Sequence, residues 1–136
     1  MLKKIRNHLN EFFYNIKTYG NPEIWRDVPN YLGCYKVSSH GRIKSLKRIV
    51  DHPIAKQYTV KEKILRPSTD NGYARVYLYG RGNRERVFVH KIVAGVFLIR
   101  LYSGVKRPAH IRHIDGNRLN NNSSNLMFTH GRRSPR

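Results

Sequence analysis

The sequence predicts an α+β protein: an N-terminal amphipathic helix, two β-hairpins, a second short helix and a strand–loop–strand segment at the end. Three observations carry the prediction. Leu2, Ile5, Leu9, Phe12, Phe13 and Ile16 recur at helical spacing, which lines one helix face with apolar side chains. From Glu23 onward, short alternating runs are divided by glycine-centred turns, the pattern of antiparallel hairpins. The run "VHKIVAGVFLIRLY" then returns to helical spacing.

Taken in order, the first helix spans about four turns and is stopped by Gly20, Asn21 and Pro22, residues that do not continue a helix. It packs on the body or carries a partner surface. In "CYKVSSHGRIKSL", Tyr35 to Val37 and Arg42 to Leu46 flank a Ser38-Ser39-His40-Gly41 turn. The following "KRIVDHPIAKQYTVKEK" is basic and broken by Pro53, and reads as a loop or an irregular strand. In "YARVYLYGRGNRERVFVH", Ala74, Val76 and Leu78 share one face, and Arg75, Tyr77 and Tyr79 the other. Its Gly80-Arg81-Gly82-Asn83 segment is a hairpin turn, because no helix follows to make it a phosphate loop. Ile92, Val93, Val96 and Phe97 form the apolar side of the second helix. Beyond Pro108, Ala109 to His113 alternates as a strand, an asparagine-rich loop follows, and Asn125 to Phe128 makes a second strand.

At 136 residues the chain has room for one domain, or one domain and an appended module. An apolar fraction of 39% with nine tyrosines supports a modest core and excludes disorder by composition. The net charge of +19 is the dominant signal. A chain so charged repels itself unless it meets a polyanion, and nucleic acid is the first partner to consider. An acidic membrane surface is the competitor, but the charge is spread end to end instead of along one amphipathic helix. The single cysteine, Cys34, has no disulfide partner and supplies no thiolate cluster. That fits a reduced, cytoplasmic setting. No apolar run approaches the length of a membrane span, and "MLKKIRNHLNEFFYNIKTYG" lacks the long apolar centre of a secretory signal.

The segment "RPAHIRHIDGNRLNNNSSNLMF" carries the candidate chemistry. His113 closes a strand, and Asp115-Gly116 after it favours a tight turn. A histidine fixed there can serve as a general base near neutral pH. The asparagines can bond to loop backbone and hold an irregular loop rigid. Spacing alone favours a structural histidine in an asparagine-rich turn.

The same residues resemble the HNH nuclease motif of phage and intron-encoded homing endonucleases. His113, Asp115, Gly116, Asn117, Asn121, Asn125 and Leu126 fall in register with it, and Phe128 stands where the family has tryptophan. "VHKIVAGVF" is similar to the helix that precedes that motif. "EIWRDVPNYLGCYKVSSHGRIKSL" is similar to the modular DNA-binding element often fused to these nucleases. In that reading the chain divides into a helix at 1–22, the modular element at 23–50 and the nuclease domain at 51–136.

The resemblance implies a ββα-metal (His-Me finger) fold, in which two strands and a helix clamp one divalent cation, Mg²⁺ or alternatively Mn²⁺, against the scissile phosphate. It implies double-stranded DNA as partner, and a bacterial host's cytoplasm if the chain is phage-encoded. It gives His113 the role of base and Asn125 that of fixing its loop. Asp115, Gly116, Asn117 and Asn121 shape the turn, and His90 packs or hydrogen-bonds at the start of the preceding helix. The cation's usual Asp or Asn ligand stands just before the base; here that residue is Arg112, which binds phosphates and not cations. The family's second ligand comes from a final helix, and "THGRRSPR" stands in its place. His130 and His110 are the remaining candidate ligands.

For binding, Lys36, Arg42 and Lys44 on the first hairpin are candidate groove readers, since a two-stranded ribbon fits a major groove. Arg75, Arg81, Arg84 and Arg86 flank the second hairpin as backbone contacts, and Trp25 is expected as a core anchor. Three readings remain: a metal-dependent endonuclease, a non-catalytic DNA-binding protein on the same scaffold, and an RNA-binding protein.

Overall fold

A computed structural model of the chain describes residues 21–98 and 110–129. The expected first helix, the tail and His130 lie outside the described residues. The strands are β1 (Trp25–Asp27), β2 (Tyr35–Ser38), β3 (Ile43–Ser45), β4 (Arg48–His52), β5 (Lys56–Val60), β6 (Lys63–Ile64), β7 (Ser68–Asp70), β8 (Tyr73–Gly80), β9 (Asn83–Phe88), β10 (His110–His113) and β11 (Leu126–Thr129); α1 is Val89–Phe97. They form a four-stranded sheet in the order β1-β2-β3-β6, a three-stranded sheet β7-β8-β9 and two separate ribbons, β4-β5 and β10-β11.

Both expected hairpins form. β2 and β3 pair from Tyr35 opposite Ser45 to Val37 opposite Ile43, and β8 and β9 run to Gly80 opposite Asn83. Arg81 and Gly82 at that turn both take positive φ, 49° and 77°, as a tight two-residue hairpin connection requires. The connector after Leu46 departs from expectation. It is a regular ribbon, with Ile49 opposite Thr59 and Val50 opposite Tyr58. β-Branched and aromatic residues on both arms favour pairing, and Pro53 sits at the turn, where a missing N–H costs no ladder bond.

One apolar cluster joins these elements. Val28, Tyr35, Val37 and Ile43 from the first sheet meet Ala74, Val76 and Leu78 of β8, Val89 to Leu98 of the α1 segment, and Leu126 of β11. Period-two alternation explains the selection: β8 buries Ala74, Val76 and Leu78 and turns Tyr73, Arg75, Tyr77 and Tyr79 away. The four-stranded and three-stranded sheets lock through Tyr31. Its ring lies so close to Gly80 that a Cβ there would stand 2.7 Å from it, and its hydroxyl donates to the Glu85 carboxylate. That bond pushes the Tyr31 pKa up to about 12.

Trp25 corrects the expectation of a core anchor. It pairs opposite Ser38 on the outer face of the first sheet and lies beneath two cations, Lys44 at 4.4 Å and Arg42 at 5.4 Å from its ring centre. Among the described residues, no helix is long and apolar enough to cross a membrane.

Candidate nuclease site

The β10-β11 ribbon places the site. His113 lies opposite Leu126 at the end of a four-pair ladder, and its side chain is only 7% exposed. The twelve-residue excursion between them (114–125) has almost no regular structure, so its backbone polar groups need other partners. Asparagine and aspartate side chains supply them. Asp115 Oδ1 accepts from the Asn117 N–H at 2.8 Å and from Asn125 Nδ2 at 2.9 Å, and its Oδ2 accepts from Asn120 Nδ2 at 2.8 Å. Asn125 Oδ1 accepts the Asp115 N–H at 3.0 Å, while its Nδ2 also donates to the Asn120 carbonyl at 2.9 Å. Asn117 Oδ1 takes the Leu119 N–H at 3.0 Å, and Asn122 Oδ1 takes the Ser124 N–H at 3.1 Å. Gly116, at φ 75°, closes the Asp-Gly turn with its N–H on the His113 carbonyl at 3.1 Å. The donors from Asn120 and then Asn125 hold the Asp115 carboxyl below its ordinary pKa.

Asn121 alone faces the histidine. Its Oδ1 lies 2.8 Å from His113 Nε2, and both residues are buried. An amide oxygen can only accept, so Nε2 donates this bond and Nδ1 is the ring nitrogen left to take up a proton. A histidine held in one orientation is what a general base needs.

Two rings pack beside it, and a third backs them. His90 packs 5.4 Å from His113, Tyr73 lies 6.0 Å from His113 and 5.0 Å from His90, and Phe88 lies 5.6 Å from His90. His90 is buried, and its Nδ1 has no hydrogen-bond partner among the described residues. Burial, then the nearby His113 and Lys91, lower its pKa from 6.5 to about 4. An unfolded His90 takes up a proton as pH falls below 6.5, whereas the folded one resists until about 4. Stability is therefore lost across that window on acidification. The loss should be on the order of 2–3 kcal/mol from the shift alone, and His90→Leu should flatten it in urea melts followed from pH 7 to 4.

Cations crowd the approach. On the outer face of β8-β9, Tyr77 pairs opposite Arg86 and Tyr79 opposite Arg84. The Arg84 guanidinium lies 3.6 Å from the Tyr77 ring centre, and Arg75 Nη1 donates to the Tyr77 hydroxyl at 2.6 Å. Arg86 pairs with Asp70 at 3.1 Å. This face runs to Tyr73, beside His113, where Arg118 covers the Tyr73 ring at 4.7 Å and donates to the Asn71 carbonyl at 3.1 Å.

The chain matches the NUMOD4 motif family over residues 23–79. It is 32% identical to the DNA endonuclease I-HmuI of Bacillus phage SP01 over 106 residues, 76% of this chain and 51% of that protein. It is 30% identical over 95 residues to an uncharacterized HNH endonuclease of Acanthamoeba polyphaga mimivirus, covering 70% of this chain and 24% of the relative. The structure solved for DNA binding and cleavage by the HNH homing endonuclease I-HmuI superposes with a TM-score of 0.58 at 29% identity, over 78% of this chain and 52% of that one. The chain is similar to HNH homing endonucleases in sequence and in fold. It spans about half the length of I-HmuI.

The fold brings His113, Asn121, Asn125, Asp115, Gly116, Asn117 and His90 into one neighbourhood. Other predicted residues stand elsewhere. His110 is exposed and three positions from His113 in a regular ladder, so the two side chains point to opposite faces. Arg112 is exposed on the His110 face. Among the described residues no three His, Cys, Asp or Glu side chains gather to hold a metal ion. Arg112 and His110 therefore do not form a cation site with His113. Of the first-hairpin cations, Arg42 grips Glu23 through Nε at 2.8 Å and a second bond from Nη2, which lowers the Glu23 pKa to about 2. Lys44 reaches Glu62 at 3.5 Å. Lys36 sits between them and β1, opposite Lys44 and Asp27.

Tyr73 and Arg118 escaped sequence reasoning. Neither is a fixed position of a spaced motif, and only the packing of the β7-β8 turn against the asparagine loop brings Tyr73 to His113 and Arg118 over Tyr73.

Proposed function

We propose that the protein is a DNA endonuclease that hydrolyses phosphodiester bonds with His113 as general base. The observation that carries this is the His113–Asn121 bond of 2.8 Å, set in a loop that asparagine side chains keep rigid. His113 Nδ1 takes a proton from the attacking water as the water's oxygen bonds to phosphorus, and the O3′ or O5′ bond on the far side breaks. Asn121 stabilises the imidazolium by accepting its Nε2–H. Asn125 and Asp115 fix the loop that carries both. Arg75, Arg84 and Arg112 hold phosphates, and Lys36, Arg42 and Lys44 lie along the hairpin that meets the duplex.

The resemblance to HNH nucleases implies a divalent cation, so supercoiled plasmid incubated with Mg²⁺ or Mn²⁺, against an EDTA control, is the direct test. Nicked or linear product only in the presence of the cation is the expected result. A second reading, DNA binding without cleavage, draws support from Arg112 at the position before the base. Slowed plasmid migration with no cut product under every cation would establish it. RNA competing as well as duplex DNA would point to the third reading.

In either DNA-binding reading, affinity comes mainly from lysine and arginine on phosphates. Each neutralised phosphate contributes about −0.9 to the slope of log K against log salt. Arg84→Ala and Arg75→Ala should each flatten that slope by about 1, measured by fluorescence anisotropy on a duplex between 50 and 200 mM salt.

A further inference from the structure

We propose that the β2-β3 turn of the modular element is a wall of the catalytic loop, and that Gly41 is a positioning residue acting through Asn121 on His113. The inference rests on the reading of His113 as the base.

Two contacts join elements far apart in the chain. Gly41 has φ +89°, and a Cβ built there would stand 2.6 Å from the Asn121 carbonyl oxygen and 2.8 Å from its Cβ. Backbone meets backbone with no room for a side chain. The second contact is a bond from the Ser123 N–H to the Ser39 carbonyl at 2.8 Å. Asn121 is thus held from two sides, by Gly41 directly and by Ser123 two residues on. Its side chain then reaches the base, with Oδ1 at 2.8 Å from His113 Nε2.

A wall must itself be stiff. Ser38 Oγ accepts the N–H groups of His40 at 3.2 Å and Arg42 at 3.0 Å, and the Gly41 N–H goes to the Ser38 carbonyl at 3.0 Å. The Ser39 N–H is bonded to the Ile24 carbonyl at 2.8 Å. Ser38, Ser39 and Asn121 are all buried. The turn has little freedom to yield, so displacement falls on the asparagine loop. The element that resembles a DNA handle therefore has a second role: it sets the position and the tautomer of the base.

Gly41→Ala in the full chain tests this. The new methyl must push Asn121 away, and φ +89° strains any L-residue. Expected results are a fall of tenfold or more in single-turnover plasmid nicking, duplex affinity within twofold of wild type, and loss of the single Nε2–H tautomer of His113 in ¹⁵N-resolved imidazole spectra. Ser123→Pro gives an independent variant. Asn122 already has φ −59° and ψ 134°, and Ser123 opens a 3₁₀ turn. Proline is accepted after such a residue and at such a start, so the change removes chiefly the bond to Ser39. It should move the tautomer and the rate in the same direction. Unchanged His113 spectra and rates in both variants would overturn the proposal. So would a parallel loss of affinity and rate with the His113 spectrum unmoved, which would confine the turn to binding. If Gly41→Ala does not fold, Ser123→Pro decides. Should His113→Ala leave nicking intact, the functional reading fails, while the tautomer readout still judges the wall.

Discussion

Replacing His113 with alanine should lower the rate of plasmid nicking by about 10²- to 10⁴-fold, the range over which a positioned general base contributes. The imidazole is buried and oriented by Asn121, so no neighbouring group can slide into its place. His90 is the nearest titratable ring, at 5.4 Å, but its pKa of about 4 makes it a poor base. It is also enclosed by Tyr73 and Phe88. Duplex affinity should remain within about twofold, because His113 is buried and affinity comes mainly from lysine and arginine on phosphates. His113→Gln should be nearly as inactive as the alanine variant, since glutamine can fill the space but cannot accept a proton at neutral pH.

The second large effect is expected at Asn125. Its amide makes three side-chain bonds, to the Asp115 N–H, the Asp115 carboxylate and the Asn120 carbonyl, and the residue is buried. Each such bond contributes about 0.5–1.5 kcal/mol net, with more for the charged acceptor. Asp115 is exposed and water can replace part of what it loses, so Asn125→Ala should destabilise by about 2–4 kcal/mol. That is a large share of a marginal stability. Asn125→Asp should be at least as damaging at pH 7, where it sets a second carboxylate against Asp115. It should recover as pH falls and one of the pair takes a proton. Urea melts at pH 7 and pH 4 check both variants. Nicking should fall with the fraction of molecules whose loop is intact.

Local pattern made much of this legible. The two hairpins follow from alternation around glycine turns, and α1 from the spacing of Ile92, Val93 and Val96. The role of the asparagines followed from their hydrogen-bonding groups before any partner was visible. The β4-β5 ribbon was misread because Pro53 and the surrounding charges obscured Ile49-Val50 and Tyr58-Thr59-Val60, which pair across the turn. Trp25 was misplaced for a related reason. A large aromatic residue ordinarily signals a core, but here it lies on the outer face beneath Lys44 and Arg42. Tertiary placement decides the rest. Alternation could have removed His110 from the His113 face. No spacing rule could bring Tyr73 or Gly41 to the asparagine loop, or Arg118 of that loop to Asn71, because those contacts join segments 40 to 80 residues apart.

The central claim is that His113 acts as a base and not merely as a packed ring. Chemical rescue tests it most directly: plasmid nicking by His113→Ala, with and without added imidazole, at matched protein and cation. The account predicts almost no nicking by the variant alone and a rate that climbs with imidazole concentration. Nicking at the wild-type rate by His113→Ala without imidazole would contradict it.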